Sequence, residues 1–325
     1  MLMRSAGLTS LLLALLAGAC GEAAIPEPPL VGPIDGCTFP TLSDAPAPAS
    51  ALTTFEYDRA AAYDPVLQPI GTDQGVQVYA LSFLSTRGNG RATGRLFMPG
   101  GAGPFAGMLL QHGMPGNAAQ MTGTGVVLAR HGAVVVALDA PFAQRGGSPI
   151  RFTETDSAEQ VQLMTDLRRA LDLLVARPDV DSSRLGYMGI SYGGAMGALF
   201  VGIEHRLKTG ILVVGDGGLV THLTGPEDAG AFAGLSCTER RRWLESMIPI
   251  EPVKFVGFAP PTSLLLQSGT LDDLVPPRDA ERLHAAARDP KTIRWYNAGH
   301  NLNTEAAHDR QVWLQQRLGM SALDF

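Results

Sequence analysis

Three side chains in a fixed chain order carry the chemistry that this sequence can do: Ser191, Asp272 and His300. Ser191 lies in Gly189-Ile190-Ser191-Tyr192-Gly193, between an apolar run at 185–190 that reads as a strand and a helical pattern at 194–203. Glycine is abundant in this chain, so the pentapeptide alone is a weak signal, and its context gives it meaning. A strand-to-helix turn this tight strains the serine and lifts its hydroxyl clear of the sheet, at the positive end of the following helix. A serine hydroxyl is a poor nucleophile and needs a base, itself oriented by an acid. His300, in Tyr296-Asn297-Ala298-Gly299-His300, is the base candidate. The acid candidate is Asp272, just past a strand at 264–267, with Asp273 and Asp216 as rivals.

The tetrahedral intermediate of acyl transfer needs two N–H donors for its oxyanion. One is expected from Tyr192, the residue after the nucleophile, and the other from His112-Gly113-Met114-Pro115-Gly116, which follows a strand at 108–111. Pro115 has no N–H to give, so Met114 is the candidate. His112 reads as a structural residue of that loop. His222 is a candidate substrate contact, as is Arg145, with Arg151 beside it, for an acidic substrate group. The remaining histidines fall in helical or surface contexts. There is no HExxH and no His/Cys cluster with ligand spacing, so neither a metal nor an organic cofactor is implied.

The elements that must position these residues alternate. Strands are expected at 76–83 and 91–98, joined by Arg87-Gly88-Asn89-Gly90 as an antiparallel hairpin, then at 108–111, 134–139, 185–190, 210–214, 264–267 and 293–296. Helical spacing occurs at 158–177, 194–203, 279–287 and 304–318. Such alternation implies a mostly parallel, twisted sheet of about eight strands with an antiparallel start and helices on both faces. Residues 216–260 exceed a plain crossover and read as a small lid insertion, with a helix at 239–248.

On these residues the chain resembles the α/β-hydrolase fold: His112-Gly113, the serine turn, Asp272 before Val275-Pro276, and Gly299-His300, over roughly residues 70–320. Asp181-Ser182-Ser183-Arg184-Leu185-Gly186 leading into the turn resembles the dienelactone-hydrolase and acetyl-esterase branch, as does Asp139-Ala140-Pro141 with Gly146-Gly147-Ser148. Dienelactone hydrolases place cysteine at the turn. Ser191 therefore moves the expectation to a serine carboxylic-ester hydrolase that forms an acyl-enzyme on a small-molecule ester. Two alternatives stay open. One is a serine peptidase of the prolyl-oligopeptidase type, whose usual N-terminal propeller a short tether cannot supply. The other is a non-catalytic surface lipoprotein that keeps the fold.

The ends and the composition bound the setting. Arg4, an apolar run at 11–16 and Ala17-Gly18-Ala19-Cys20 read as a signal peptide over residues 1–19, too short to span a bilayer. The small residues before Cys20 resemble a bacterial lipobox, although Ala17 stands where that pattern usually has leucine. The expectation is export with Cys20 lipidated, or simple secretion after cleavage at Ala19. A Pro- and Ala-rich tether follows to residue 51, then a catalytic domain over 52–325. Cys37 and Cys237 are left as one expected disulfide, pinning the tether to the domain well away from the chemistry. With 25 Lys+Arg against 31 Asp+Glu the net charge is −6, which excludes an electrostatic footprint for nucleic acid; membrane contact is expected only through the lipid.

Overall fold

The computed structural model describes residues 37–88, 90–226 and 230–321. The signal segment and Cys20 lie outside those residues.

Nine strands form one sheet: β1 (Val66–Asp73), β2 (Val76–Leu84), β3 (Arg91–Met98), β4 (Phe105–Gln111), β5 (Ala133–Leu138), β6 (Val180–Ile190), β7 (Thr209–Val213), β8 (Ser263–Gly269) and β9 (Lys291–Tyr296). Their spatial order is β1-β2-β3-β5-β4-β6-β7-β8-β9. The pairs from β1 through β3 to β5 are antiparallel, and every pair from β5 to β9 is parallel. Strand residues alternate between faces, and the central strands are buried on both. Along β5, Val134, Val136 and Leu138 enter one core layer, while Val135 and Ala137 enter the other. The first layer is closed by α2 (Pro141–Arg145), α3 (Glu154–Val175), α4 (Tyr192–Ile203) and α7 (Pro277–Ala286), the second by α1 (Thr122–Arg130) and α8 (Thr304–Leu318). This is the α/β-hydrolase fold, with one more strand than expected. The addition is β1, all eight of whose residues are exposed, with Pro69 and Gly71 at a break in register. An edge strand tolerates a proline that a central strand would not, and it carries no alternating pattern to read.

Between β7 and β8 the insertion holds α5 (Leu219–Leu223) and α6 (Cys237–Met247), followed by three short 3-10 turns. Ser236 and Glu239 form a reciprocal capping box at the start of α6. Fully buried Trp243 donates its indole N–H to Asp156 of α3 at 2.8 Å, fastening the insertion to the main domain. Leu219, Val220, Phe232, Trp243, Leu244 and Met247 make a separate small core. Burying each large side chain there contributes roughly 2 kcal/mol.

The stretch expected as unpacked tether is packed from Cys37 onward. Cys37 is bonded to Cys237 at the start of α6, with a Cα separation of 6.0 Å. Phe39 and Leu42 lie against the small core, and Arg241 donates to the Thr38 carbonyl at 2.8 Å. Arg282 of α7 pairs with Asp44 at 2.6 Å. That same small core touches Met114 and Tyr192, so the insertion that carries Cys237 reaches the candidate site. Proline-rich composition hid this because the few apolar anchors are spaced irregularly.

Candidate active site

β6 ends at Ile190 and α4 begins at Tyr192, leaving Ser191 alone to reverse the chain. It does so at φ 57° and ψ −118°, a conformation that a residue with a Cβ adopts only under strain. The Ser191 N–H donates to Val213 of β7 at 2.8 Å, and its carbonyl accepts from Ala195 at 2.9 Å, so both sides of the turn are tied. The flanking glycines are steric requirements. A Cβ on Gly189 would overlap the Gly193 carbonyl oxygen, and one on Gly193 would overlap the Gln111 carbonyl oxygen at the end of β4. Only glycine lets strand and helix approach so closely.

Asp272 and His300 reach the same sheet edge from β8 and β9. Asp272 Oδ1 accepts N–H bonds from Leu274 at 3.0 Å and Val275 at 2.9 Å. His300 Nδ1 stands 2.9 Å from Asp272 Oδ2 and 3.0 Å from Oδ1. The two loops are stitched to each other: Thr270 N–H donates to the Tyr296 carbonyl and Leu271 N–H to that of Ala298. The Asp272 side chain is 1% exposed, whereas neighbouring Asp273 is exposed. An ionised carboxylate only accepts, so it fixes the hydrogen on Nδ1 and leaves the lone pair on Nε2.

The loop after β4 runs beside Ser191. A Cβ placed on Gly113 would lie 3.3 Å from the Ser191 Cβ and 3.9 Å from its Oγ. The turn is closed by Gly116 N–H donating to the Gly113 carbonyl at 2.8 Å. Fully buried His112 braces it: its Nε2 accepts from Ala140 N–H at 3.0 Å, so Nδ1 carries the hydrogen and donates to the Gly113 carbonyl at 2.7 Å. Burial also pushes the His112 pKa down, which keeps the ring neutral. Asp139 supports the same corner, accepting from Thr93 Oγ1 at 2.6 Å and Ala118 N–H at 2.7 Å. The His112, Phe142 and Tyr192 rings then meet edge to face in series, linking this loop to the first residue of α4. As that first residue, Tyr192 has no helical partner for its N–H. Met114 and Tyr192 both line a cavity of about 160 Å³ with Ser191.

Two other sequence candidates separate here. His222 lines this cavity and faces Asp216, with Nδ1 3.0 Å from Oδ2. Arg145 does not line it. Its guanidinium grips Glu159 of α3 at 2.6 and 3.0 Å and caps the carbonyls of Gly146 and Ser148, which makes it a loop fastener. Sequence reasoning missed this because Glu159 lies fourteen residues away on another element, and no local spacing rule joins the two. His284 is also structural, bonded to Ser268 Oγ at 3.1 Å, with burial lowering its pKa to about 4.

The fold and the strained serine turn define a hydrolase of the α/β type. Residues 122–319, more than half of the chain, match the prolyl oligopeptidase family of peptidases, and the protein belongs to that family. It is 29% identical over 259 residues to the uncharacterized protein MT2364 of Mycobacterium tuberculosis (strain CDC 1551 / Oshkosh), covering 78% of this chain and 84% of the relative. It is 31% identical over 153 residues to the uncharacterized peptidase YuxL of Bacillus subtilis (strain 168), which covers 45% of this chain but only 23% of that protein. Among solved structures, acetyl xylan esterase 1 from Thermoanaerobacterium sp. JW/SL YS485 superimposes with a TM-score of 0.65 at 16% identity, covering 83% of this chain and 94% of that one.

Proposed function

We propose that the protein is an exported serine hydrolase that cleaves small carboxylic esters through an acyl-enzyme on Ser191. The observation that carries this reading is the Asp272–His300 pair, pinned by two backbone N–H bonds and set at the same sheet edge as the strained serine. Ser191 Oγ attacks the carbonyl carbon as His300 Nε2 takes its proton. Asp272 holds the ring and stabilises the imidazolium that forms. The N–H groups of Met114 and Tyr192 receive the oxyanion. Its collapse expels the alcohol, which takes the proton from His300. Water, deprotonated by the same histidine, then releases the acid and restores Ser191.

Ester rather than peptide cleavage is favoured by the cavity. At about 160 Å³, with Met114, Ala195, Leu219 and Leu274 in its wall, it suits a short acyl group better than a peptide side chain flanked by main chain. The fold shared with acetyl xylan esterase 1 is compatible with this, though fold alone does not set substrate. Membership of a peptidase family supports a second reading, amide hydrolysis by the same three residues. Turnover of p-nitrophenyl esters against aminoacyl p-nitroanilides separates the two. In either case Ser191→Ala abolishes turnover and labelling by a fluorophosphonate probe; labelling retained in that variant would sink the assignment. For the N-terminus, the reading is lipidation at Cys20, and Cys20→Ser should release the protein from the membrane fraction and stop incorporation of a palmitate analogue.

A further inference from the structure

Large apolar side chains stand in water at two places on this molecule. Among the described residues, Val66, Leu67, Ile70 and Leu84 lie on the outer strands β1 and β2. The two most exposed of all, Leu271 at 66% and Leu274 at 59%, stand on either side of Asp272 in the chain. A single exposed leucine is ordinary, but two on one loop beside a reacting centre call for a reason. The loop itself gives none, because its shape is set by main chain. Leu271 N–H donates to the Ala298 carbonyl at 3.0 Å, and Leu274 and Val275 N–H groups donate to Asp272 Oδ1. Pro276 and Pro277 then stiffen the entry to α7. Any residue but proline supplies those N–H groups, and a polar side chain there would leave no apolar surface in water. A loop so tied cannot fold the leucines away.

The direction of the reaction says what would cover them. A histidine that gives its proton to the departing alcohol must stand beside that alcohol. His300 is not part of the wall of the cavity of about 160 Å³, which Met114, Ala195 and Leu219 help to build around Ser191. The acyl group therefore takes the cavity, and the alcohol lies outside it on the His300 side. The leucines are on that side too. The Leu271 carbonyl oxygen lies 3.5 Å from where a Cβ on Gly299 would sit, next to His300. Leu274 belongs both to the cavity wall and to the surface, so it carries the apolar lining out to the rim.

We propose that Leu271 and Leu274 form an apolar ledge for the alcohol half of the ester, so that the enzyme selects short-acyl esters of alcohols with an apolar chain or ring. This rests on Ser191 being the nucleophile and His300 the group that protonates the alcohol. The two leucines touch substrate in this scheme and move no proton; they set specificity by removing apolar surface from water on both sides of the contact.

The test compares hexyl acetate with ethyl acetate. The acyl group is the same and the two alcohols are alike as leaving groups, so contact made by the longer chain is what separates them. The quantity to read is kcat/KM, which contains no step after the alcohol departs. The expected result is a preference of roughly tenfold for hexyl acetate. Replacing both leucines, Leu271→Ser with Leu274→Ser, should bring that ratio to about one, whereas Leu271→Met with Leu274→Met, apolar and of similar volume, should keep most of it. The ratio is taken within each variant, so a general loss of folded protein does not imitate the effect. A wild-type ratio near one, or a ratio unmoved in the double serine variant, would overturn the proposal. So would a flat ratio joined to turnover that rises only with phosphatidylcholine vesicles, which would assign the leucines to a lipid surface. A dimer in sedimentation that the double serine variant dissociates, with the ratio unchanged, would assign them to a second copy of the chain and overturn it equally. Fluorophosphonate labelling separates the two levels of failure. A flat ratio in an enzyme labelled at Ser191 removes the ledge alone, and absence of labelling in the wild type removes the nucleophile and the ledge with it.

Discussion

Two aspartate–histidine pairs stand at one edge of one sheet, and they are built differently. In each, the aspartate follows a parallel strand, is held by backbone N–H donation and faces a histidine Nδ1 at about 3 Å. Asp272 and His300 come from neighbouring strands, β8 and β9, whose loops are hydrogen-bonded to each other, so the sheet itself sets their geometry. Asp216 and His222 are six residues apart, and the histidine belongs to the insertion, with its own core and its own disulfide. A pair held by the framework suits chemistry that must not move. A pair held by an insertion suits substrate selection, since the insertion can vary without touching the sheet.

That contrast can be broken at several points. Ser191→Ala should cost roughly a million-fold in kcat and His300→Ala a similar amount, because residues that act as a unit fail together. Asp272→Asn should lower kcat by roughly 10,000-fold through the wrong tautomer of His300. Asp216→Asn, measured in the same assay, should cost about tenfold; equal losses in the two asparagine variants would erase the distinction. Replacing both Cys37 and Cys237 with serine should lower stability by about 2–4 kcal/mol in denaturant unfolding, with the loss falling first on the insertion and its strap. A further effect concerns the carboxyl of Glu251. The unfolded chain releases this proton near pH 4.5 and the folded protein near 8, so between those values the folded state binds more protons and stability falls as pH rises. Glu251→Gln should flatten that slope, on the order of 1 kcal/mol per pH unit, in melting curves at pH 5, 6.5 and 8.

The two pairs also differ in how far they could be read from the chain. The places of Ser191, Asp272 and His300 at strand ends were legible because local rules constrain them: a glycine-flanked turn between strand and helix, and loops at strand ends in a fixed order. His222 and Asp216 were each visible, one as a substrate contact and the other as a rival acid. Their mutual bond was not, because Gly217-Gly218 opens a turn whose path no periodicity encodes. The buried strands announced themselves by continuous apolar runs, whereas exposed β1 had no face to mark. The short helix α1, Thr122–Arg130, was equally silent, with Gly123 and Gly125 in its first half. Packing of the strap through Phe39 and Leu42, and the grip of Arg145 on Glu159, depend on partners distant in sequence or on another element.

The most direct measurement is the mass of the enzyme quenched during turnover of p-nitrophenyl acetate. A single acetyl group mapped to Ser191, absent in Ser191→Ala and formed far more slowly in His300→Ala and Asp272→Asn, is the expected result. Acetylation of another residue, or ester turnover that persists in Ser191→Ala, would contradict a serine-based ester hydrolase.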